Sequence, residues 1–223
     1  MNPLYSSYDI YAFMWYNHTE IYNEVRGKSM KDKIIEKSIE LFAEKGFKET
    51  SIQEIMDALK VTKGTFYYYF HSKEELLMDI HLQYIERLLE NQEILMSDPG
   101  KSCKEKLYDI IFKLISDIKK EGLRAQVFFR EMRNLSEKHL MLILPKRDQF
   151  KENIQHLVEE GMAKGEFRSD LPPDIITFGI LGMANWSYFW FNPAGKVSDR
   201  QVSEIFHQIL IGGIQQQVKN NEE

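Results

Sequence analysis

The chain has 223 residues, of which 43% are hydrophobic and 28% are charged, a composition that is typical of a folded globular protein and excludes global disorder. Its formal net charge is -5 at pH 7, so a nucleic-acid binder with this sequence must keep its positive charge local. The one cysteine, Cys103, permits no internal disulfide and no all-cysteine metal site, which fits a reducing cytoplasm.

Residues 1–29 are rich in aromatic side chains but contain neither an apolar run nor a basic leader. This pattern is typical of neither a signal peptide nor a membrane anchor. Because regular helical patterning begins at Met30, we interpret 1–29 as an extension from a misassigned translation start. The alternative is a genuine arm that packs on the body of the protein or contacts DNA.

From Met30 onward, apolar residues recur at three- and four-residue spacing, which predicts an all-α fold. The first three predicted helices are short. The first ends at Gly46, the second covers 52–59, and the third covers 62–69. Together they form a small three-helix head.

The pattern Ser72-Lys73-Glu74-Glu75 is a capping box and predicts the start of a long connector helix over 73–95. Ser97-Asp98-Pro99-Gly100 then predicts a break in the helical pattern. Beyond the break, helices are predicted at 103–120, 123–136, 145–164, 173–191 and 199–217, separated at Gly122, Gly165, Pro172-Pro173 and Pro193-Ala194-Gly195. The domain organisation that follows is an extension at 1–29, a head at 30–78 and a larger helical bundle at 79–223.

Residues 51–70 have the pattern of a helix-turn-helix, in which apolar residues lock two short helices and the second helix enters the DNA major groove. The apolar lock consists of Ile52, Ile55, Leu59, Val61 and Phe66. The residues on or beside the other face are Thr62, Lys63, Thr65, Tyr67 and Tyr68. Gly64 lies early in the second helix, where a side chain would hold the backbone away from DNA.

The stretch "LFAEKGF" followed by "TSIQEIMDALKVTKGTFYYYFHSKEELL" closely resembles the DNA-binding head of the TetR/AcrR family, and the resemblance covers 31–78. It implies a DNA-binding head with a helix-turn-helix, a connector helix, and a C-terminal helical bundle for ligand binding and dimerisation. The sequence departs from the family at Lys60, where glycine is usual at the turn. If Lys60 adopts the left-handed backbone conformation, the strain would lower the stability of the fold by roughly 1 kcal/mol.

The resemblance also implies roles for individual residues. Gln53, Lys63, Thr65 and Tyr67 would face DNA, with Lys63 and Gln53 reaching base edges. Thr50, Tyr68, His71 and Lys73 would hold phosphates. The alternative is that the aromatic run is core, which we expect only for Phe66, Tyr69 and Phe70. The implied partner is a palindromic double-stranded operator, bound by a homodimer.

The helices at 173–191 and 199–217 are unusually apolar. A helix that is apolar on nearly every side is expected to be buried on every side. The family resemblance implies that these two helices pair with their copies in a second subunit as a four-helix bundle, where Gly179, Gly182, Gly212 and Gly213 would allow close approach. A transmembrane interpretation is disfavoured, because 173–191 is short of ~20 residues and contains Asn185.

A long apolar pocket is predicted in the larger domain, with Arg130 and Arg133 near its mouth. The residues predicted to line it are Phe128, Phe129, Met132, Met183, Trp186 and Trp190. Ordinary core packing is the alternative for each of them. The segments "FFREMRNLS" and "GEFRSDLPPDIITFGILGMANWSYFWFNPAGKVSDRQVSEIF" resemble the acyl-CoA-responsive branch of the family, which implies a fatty acyl-CoA ligand whose phosphates would meet arginines. Hydrophobic drugs, as for a regulator of multidrug efflux, are an alternative ligand class.

The sequence contains no glycine-rich nucleotide loop, no paired metal-ligand spacing and no nucleophile motif. We therefore predict no catalytic residue, no metal and no cofactor. A helical interaction protein without DNA binding is a further alternative, supported by the acidic balance and by Lys60. The favoured hypothesis is a cytoplasmic repressor that leaves its operator when a ligand shifts the connector helix and spreads the two heads.

Overall fold

A computed structural model describes residues 28–215 of the chain, and helices account for most of them. The nine α-helices of this range are α1 (Met30–Lys45), α2 (Ile52–Leu59), α3 (Lys63–Tyr69), α4 (Lys73–Met96), α5 (Cys103–Ser116), α6 (Ile118–Glu131), α7 (Glu137–Ala163), α8 (Pro173–Trp190) and α9 (Asp199–Ile214). A single 3-10 turn, Met132–Asn134, joins α6 to α7. The prediction of an all-α fold is confirmed. The extension predicted at 1–29 lies, apart from its last two residues, outside the described range.

Local sequence sets both ends of α2. The Ser51 hydroxyl accepts a hydrogen bond from the backbone N–H of Glu54, and the Glu54 carboxylate accepts one from the backbone N–H of Ser51 at 2.7 Å. At the other end Lys60 has φ 57° and ψ 40°, which is the left-handed conformation considered for it from the sequence. The chain therefore turns sharply into α3 without a glycine, at the cost of backbone strain.

The connector helix α4 begins where the capping pattern predicts. The Ser72 hydroxyl accepts from the backbone N–H of Glu75 at 3.0 Å. The Glu75 carboxylate accepts from the backbone N–H of His71 at 2.7 Å rather than from that of Ser72. Two donors at the helix start are satisfied in this way.

One buried apolar cluster runs from the head into the larger bundle. In the head it includes Phe42 and Phe66, and in the bundle it includes Phe128 and Ile154, all fully or almost fully buried. Helix α1 packs against α6, and α4 packs against α6 and α7. Burial of each such side chain contributes about 1.5–3 kcal/mol to the free energy of unfolding, relative to leaving it exposed. The shared apolar cluster therefore holds the head against the bundle.

The boundary between α5 and α6 differs from the prediction. The break occurs at Asp117, whereas Gly122 lies inside α6. Ile118 is buried, and the Asp117 carbonyl accepts from the N–H groups of Lys120 and Glu121, so a new helical turn begins there. A Cβ added at Gly122 would lie 3.4 Å from the Ile118 side chain, which is ordinary contact. This glycine therefore marks no break.

Helix α7 begins at Glu137, not at residue 145 as the sequence pattern suggested, and Pro145 lies within it. The buried Ile143 extends the apolar face of the helix toward its N-terminus. The Glu74 carboxylate on α4 accepts from the Ser136 backbone N–H at 2.8 Å, directly before the helix. These tertiary contacts outweigh the tendency of proline to end a helix.

The C-terminal helices are held by close packing. A Cβ added at Gly161 would lie 2.2 Å from the Phe167 ring, so only glycine fits beneath that ring. An isolated antiparallel bridge joins Phe167 to Gln215, and within the described range no longer strand pairing occurs. Helix α9 packs mainly on α5, which leaves one side of α8 and α9 uncovered.

Candidate DNA-binding face and ligand cavity

Helix α3 buries one side and exposes the other. Phe66 and Phe70 are buried, and Tyr69 is half-buried, as expected from the sequence. On the exposed side Tyr68 is 81% exposed and Tyr67 is 54% exposed. Two neighbouring aromatic side chains left in solvent are unusual for a packing role and indicate a contact surface.

The remaining polar residues of this exposed side lie around the two tyrosines. Lys63 and Gly64 are exposed in the first turn of α3, and Thr65 is half-buried. The Thr62 and Thr65 hydroxyl oxygens are 3.5 Å apart. The name α3 face is used here for the half-buried Thr65 together with the exposed residues Gln53, Thr62, Lys63, Gly64, Tyr67, Tyr68 and His71.

The charge of the α3 face comes from Lys63, since α3 contains no acidic residue. Glu54 on α2 is paired with Lys45, and this hydrogen bond, together with those from Ser51, lowers the pKa of Glu54 to about 2. The Asp57 carboxylate accepts from the Gln53 amide at 2.6 Å. The two acids of α2 therefore already have protein partners, which reduces their repulsion of an approaching polyanion.

Two residues predicted to hold phosphates have other contacts. Thr50 is only 1% exposed, and its hydroxyl donates to the Gly46 carbonyl at 2.9 Å. The Lys73 ammonium donates to the carbonyls of Phe47 (2.7 Å) and Thr50 (2.6 Å) and lies 4.4 Å from the centre of the Phe47 ring. Both side chains brace the turn between α1 and α2, and this corrects the phosphate roles expected for them.

Of the four phosphate candidates, the structure leaves Tyr68 and His71 accessible. His71 is bonded to a neighbouring acid. Its side chain is 93% exposed, and its Nδ1 lies 2.9 Å from the Glu75 carboxylate. The backbone and side-chain hydrogen bonds from His71 lower the pKa of Glu75. The imidazole is thus anchored at one nitrogen while its other edge faces solvent.

A cavity of about 420 Å³ opens between α4, α6, α7 and α8. This volume lies in the range of ligand sites, ~300–1,000 Å³. Phe128 and Phe129, both predicted to line a pocket, are part of its wall. The other wall residues are Ile85, Leu88, Arg147, Asp148, Phe150, Lys151, Phe178, Leu181, Gly182 and Asn185.

Four residues predicted for this wall are not part of it: Met132, Met183, Trp186 and Trp190. Helix α8 faces the cavity through Phe178, Leu181 and Asn185, a spacing that defines one side of a helix. Trp186 follows Asn185 by one position, which turns it by about 100° away from the cavity. It is 64% exposed, and its ring is tilted by 39° against that of Phe189, with the ring centres 5.2 Å apart.

The cations at the cavity are also different from those predicted. Arg130 Nη1 donates to the Ala43 carbonyl at 3.0 Å, and Arg133 is exposed outside the wall. Arg147 and Lys151, one turn apart on α7, line the cavity instead. Arg147 Nη1 lies 3.8 Å from the sulfur of Met132, which therefore sits beside the mouth. The four-residue spacing of the two cations was the sequence signal for this pair.

A buried histidine lies behind the cavity wall. The His81 ring is 5.2 Å from the Phe128 ring, centre to centre, and its Nδ1 lies 2.8 Å from the Leu77 carbonyl. Burial lowers the pKa of His81 to about 4. It is therefore neutral near pH 7 and donates to that carbonyl as part of the core.

Helices α8 and α9 share an uncovered apolar surface, which we call the α8–α9 face. Its exposed side chains are Ile175, Phe178, Trp186, Phe189, Trp190, Ile205 and Ile209. Cβ atoms added at Gly179, Gly182, Gly212 and Gly213 would meet nothing within 4 Å. The expectation that 173–191 is buried on every side is therefore wrong for the single chain. None of the helices between residues 28 and 215 is long and apolar enough to cross a membrane.

The one cysteine is a buried thiol. Cys103 is buried, and burial raises the pKa of its thiol to about 11, so it is protonated near pH 7. Across the described residues, His, Cys, Asp and Glu side chains form no group of three or more that could hold a metal ion.

Two protein-family models match the chain, one in the head and one in the larger bundle. One, described as bacterial regulatory proteins of the tetR family, matches residues 34–80. The other, described as a tetracyclin repressor-like C-terminal domain, matches residues 100–214. Their boundary falls in the segment that ends α4 and begins α5.

Similar proteins of known function and structure come from the same group. The HTH-type transcriptional repressor KstR2 of Mycolicibacterium smegmatis is 25% identical over 190 residues, which is 84% of this chain and 92% of that protein. The structure of the ketosteroid transcriptional regulator KstR2 of Mycobacterium tuberculosis superimposes with a TM-score of 0.78 at 23% identity, over 86% of this chain and 97% of that one. The crystal structure of AibR in complex with isovaleryl coenzyme A and operator DNA superimposes with a TM-score of 0.74 at 24% identity. The match covers 82% of this chain and 98% of the AibR chain.

Proposed function

Because the chain belongs to the TetR family of bacterial regulatory proteins, we propose that it is a homodimeric transcriptional repressor that a fatty acyl-CoA releases from a palindromic operator. Residues 30–78 would bind DNA, and residues 79–223 would bind the ligand and the second subunit. The observation that carries this proposal is the connection of the α3 face, through α4, to a cavity with an apolar wall and two cations.

The α3 face has the chemistry for the major groove. Lys63 is exposed in the first turn of α3, where it can reach the O6 and N7 acceptors of guanine. Gln53 on α2 can contact a base edge after exchanging its bond to Asp57. Tyr67, Tyr68, His71 and Thr62 would contact the backbone, and the exposed Gly64 lets α3 approach the DNA closely.

The α8–α9 face supports the homodimer. Exposed aromatic and branched side chains surround positions where glycine leaves the helix backbone bare. A second copy of the same face would fill these gaps in a two-fold, four-helix contact. Such a dimer presents two α3 helices to successive major grooves, about 34–36 Å apart.

The cavity favours a ligand with an apolar tail and an anionic head. Phe128, Phe150 and Leu181 form a wall suited to an acyl chain. Arg147 and Lys151 are suited to the phosphates of coenzyme A. The complex of AibR with isovaleryl coenzyme A and operator DNA supports this ligand class, since that protein has the same fold.

Hydrophobic cationic drugs, as inducers of an efflux regulator, are the second candidate ligand class. They would be favoured by an acidic wall. Here the one acidic wall residue, Asp148, stands beside the cations Arg147 and Lys151. The charge balance of the wall therefore favours an anionic ligand over a cationic one.

Helix α4 provides the physical link between ligand and DNA. Ile85 and Leu88 of α4 line the cavity, and the same helix begins at Lys73, whose ammonium braces the head. A ligand that binds more tightly when α4 is displaced would move the two heads of the dimer apart. They would then no longer be separated by one turn of DNA. It acts only to the extent that its affinity differs between the two arrangements.

The test is operator binding by fluorescence anisotropy, with a labelled duplex from upstream of the protein's own gene. A long-chain acyl-CoA should weaken binding at least about tenfold, whereas coenzyme A alone should not. The variant Lys151→Gln should require more acyl-CoA for release, and Lys138→Gln, an exposed lysine outside the cavity, should behave as the unchanged protein. Operator binding that is indifferent to acyl-CoA would refute the ligand class.

A further inference from the structure

Aside from its aromatic residues, helix α8 has four polar side chains, and three of them are bonded to the helix itself. The hydroxyls of Thr177 and Ser187 donate to the backbone carbonyls four residues earlier, at 2.8 and 3.1 Å. The Asp174 carboxylate accepts from the backbone N–H of the next residue at 2.9 Å. The fourth is Asn185, whose side-chain amide forms no hydrogen bond with any described residue. Its donors and its acceptor therefore remain available.

Asn185 lies in the wall of the cavity between α4, α6, α7 and α8. Helix α8 lines this cavity through Phe178, Leu181, Gly182 and Asn185, and this spacing places the four residues along one side of the helix. Asn185 is half-buried. A Cβ added at Gly182, one turn before it, would meet nothing within 4 Å. The space along the helix beside the amide is therefore open.

The amide differs in chemistry from the rest of the described wall. Helices α4 and α6 contribute only apolar side chains, whereas the polar wall residues of α7 are all charged: Arg147, Asp148 and Lys151. Asn185 is the one neutral polar side chain among the wall residues that the structure describes. An amide both donates and accepts hydrogen bonds without carrying a charge. It is suited to an uncharged oxygen of a ligand, while the cations of α7 are suited to phosphates.

An asparagine at this position is unfavourable for a ligand that is purely hydrocarbon at that point. Water can satisfy the amide of a half-buried asparagine. A hydrocarbon chain placed against Asn185 would exclude that water and offer no hydrogen bond in return, which weakens binding. A ligand oxygen at the same place replaces the water, so the cavity distinguishes a ligand that has this oxygen from one that lacks it.

We infer that Asn185 is a specificity-determining residue of this cavity, and that its amide donates a hydrogen bond to an uncharged oxygen near the junction of the acyl chain and coenzyme A. This inference rests on the proposed acyl-CoA function. Two oxygens have that chemistry and place: the thioester carbonyl, and a hydroxyl on the third carbon of the acyl chain. A site that bonds such an oxygen discriminates more strongly against its loss than against the loss of one methylene group.

The test is titration calorimetry of the full-length protein with three coenzyme A derivatives of the same chain length. They are dodecanoyl-CoA, its S-dodecyl thioether analogue without the carbonyl, and 3-hydroxydodecanoyl-CoA. If Asn185 bonds the thioester, dodecanoyl-CoA should bind at least about tenfold more tightly than the thioether. If it bonds the chain hydroxyl, 3-hydroxydodecanoyl-CoA should bind at least about tenfold more tightly than dodecanoyl-CoA.

Variants at two amides locate the source of this preference. Asn185→Leu has a similar shape but no donor, and the three ligands should then bind within about twofold of one another. Asn185→Asp also keeps the shape and loses the donor, so it should lose the preference for a carbonyl and serves if Asn185→Leu fails to fold. Gln149→Leu removes an amide from an exposed position of α7 outside the wall, and should keep the preference of the unchanged protein.

The outcomes separate this inference from the proposed function. Equal binding of all three ligands by the unchanged protein, or a preference that persists in Asn185→Leu, would overturn the role of Asn185 while the acyl-CoA proposal stands. Binding of none of the three would overturn the proposed ligand class and this inference with it. If Asn185→Leu kept the preference but dissociated the dimer in sedimentation equilibrium, the amide would belong to the subunit contact instead.

Discussion

Nη1 of Arg130 lies 3.0 Å from the carbonyl oxygen of Ala43, and this hydrogen bond ties the end of α6 to the end of α1. Phe128 and Phe129, immediately before Arg130, line the cavity between α4, α6, α7 and α8. The same short stretch of α6 therefore touches both this cavity and the head. An arginine placed by the sequence at the pocket mouth serves instead as a brace.

Arg130→Met should reduce the coupling between ligand and operator, because it removes this hydrogen bond while keeping the apolar stem. We expect acyl-CoA to bind as before, and its effect on operator affinity to fall about five- to tenfold. Anisotropy titrations of operator, with and without ligand, measure the ratio. Arg133→Met, which changes an exposed arginine nearby, is the matched control. Equal coupling in both variants would exclude the brace.

Lys63→Ala should lower operator affinity at least about tenfold without lowering the thermal midpoint. Lys63 is exposed and supplies the only charge on α3, so its loss removes a DNA contact and no packing. Anisotropy and thermal unfolding measure the two quantities. Lys196→Ala, at another exposed lysine far along the chain, should change neither. Normal operator binding by Lys63→Ala would refute the assignment of the α3 face.

Lys60→Gly should stabilise the protein by about 1 kcal/mol, because glycine adopts the left-handed conformation of this turn without the steric cost that a Cβ imposes. Urea unfolding at pH 7 gives the change in the free energy of unfolding. Lys60→Ala removes the same side chain but keeps the Cβ, and should show no such gain. If the two variants were equally stable, the turn would carry no conformational strain.

The turn at Lys60 shows what local sequence can predict. The capping residues, the left-handed position and the exposed side of α3 all depend on neighbours within a few positions, and the motif specifies them. Thr50 and Lys73 are different, because their contacts reach the preceding turn between α1 and α2. Residue type suggested phosphate binding for both, but only the tertiary structure shows that their polar groups are already bonded.

The cavity wall also depends on tertiary contacts that local sequence does not predict. Phe128 and Phe129, predicted to line a pocket, are in the cavity wall, but the rotation of α8 decides between Asn185 and Trp186. An almost uniformly apolar helix has no periodicity to fix that rotation. Arg147 and Lys151 lie within the helix predicted at 145–164, but they were missed because the sequence does not specify which side of that helix packs toward the cavity.

His81→Leu should make stability less dependent on pH between about 6.5 and about 4. Burial lowers the pKa of folded His81 to about 4, while the unfolded chain keeps the ordinary value near 6.5. As pH falls through this window only the unfolded state gains the proton, so stability is lost, by up to ~3 kcal/mol. Above pH 6.5 the histidine contributes no pH dependence.

Urea unfolding at pH 7.0, 6.0, 5.0 and 4.5 measures how the free energy of unfolding changes with pH. His156→Gln, at an exposed histidine, should keep the slope of the unchanged protein. Because other groups titrate in the same range, the difference between the two variants is the informative quantity. Identical slopes would mean that His81 has the same pKa in the folded core as in the unfolded chain.

Trp186→Arg should dissociate the dimer, and it separates the two roles considered for this tryptophan. Trp186 is 64% exposed beside Phe189 on the α8–α9 face and is absent from the cavity wall. A buried central aromatic in an interface commonly contributes 2 kcal/mol or more, so the dimer dissociation constant should rise at least about thirtyfold. Sedimentation equilibrium measures it. Met141→Arg, at an exposed apolar residue on α7 away from that face, should remain dimeric.

The same variant should lose operator affinity, since one head alone contacts only half of a two-fold site. Acyl-CoA binding to the isolated subunit, measured by titration calorimetry, reports on the cavity separately. A dimeric Trp186→Arg that binds operator but no longer binds acyl-CoA would restore the pocket role that the sequence suggested. A monomeric variant that still binds acyl-CoA would place Trp186 at the subunit contact, because its loss would then leave the cavity intact.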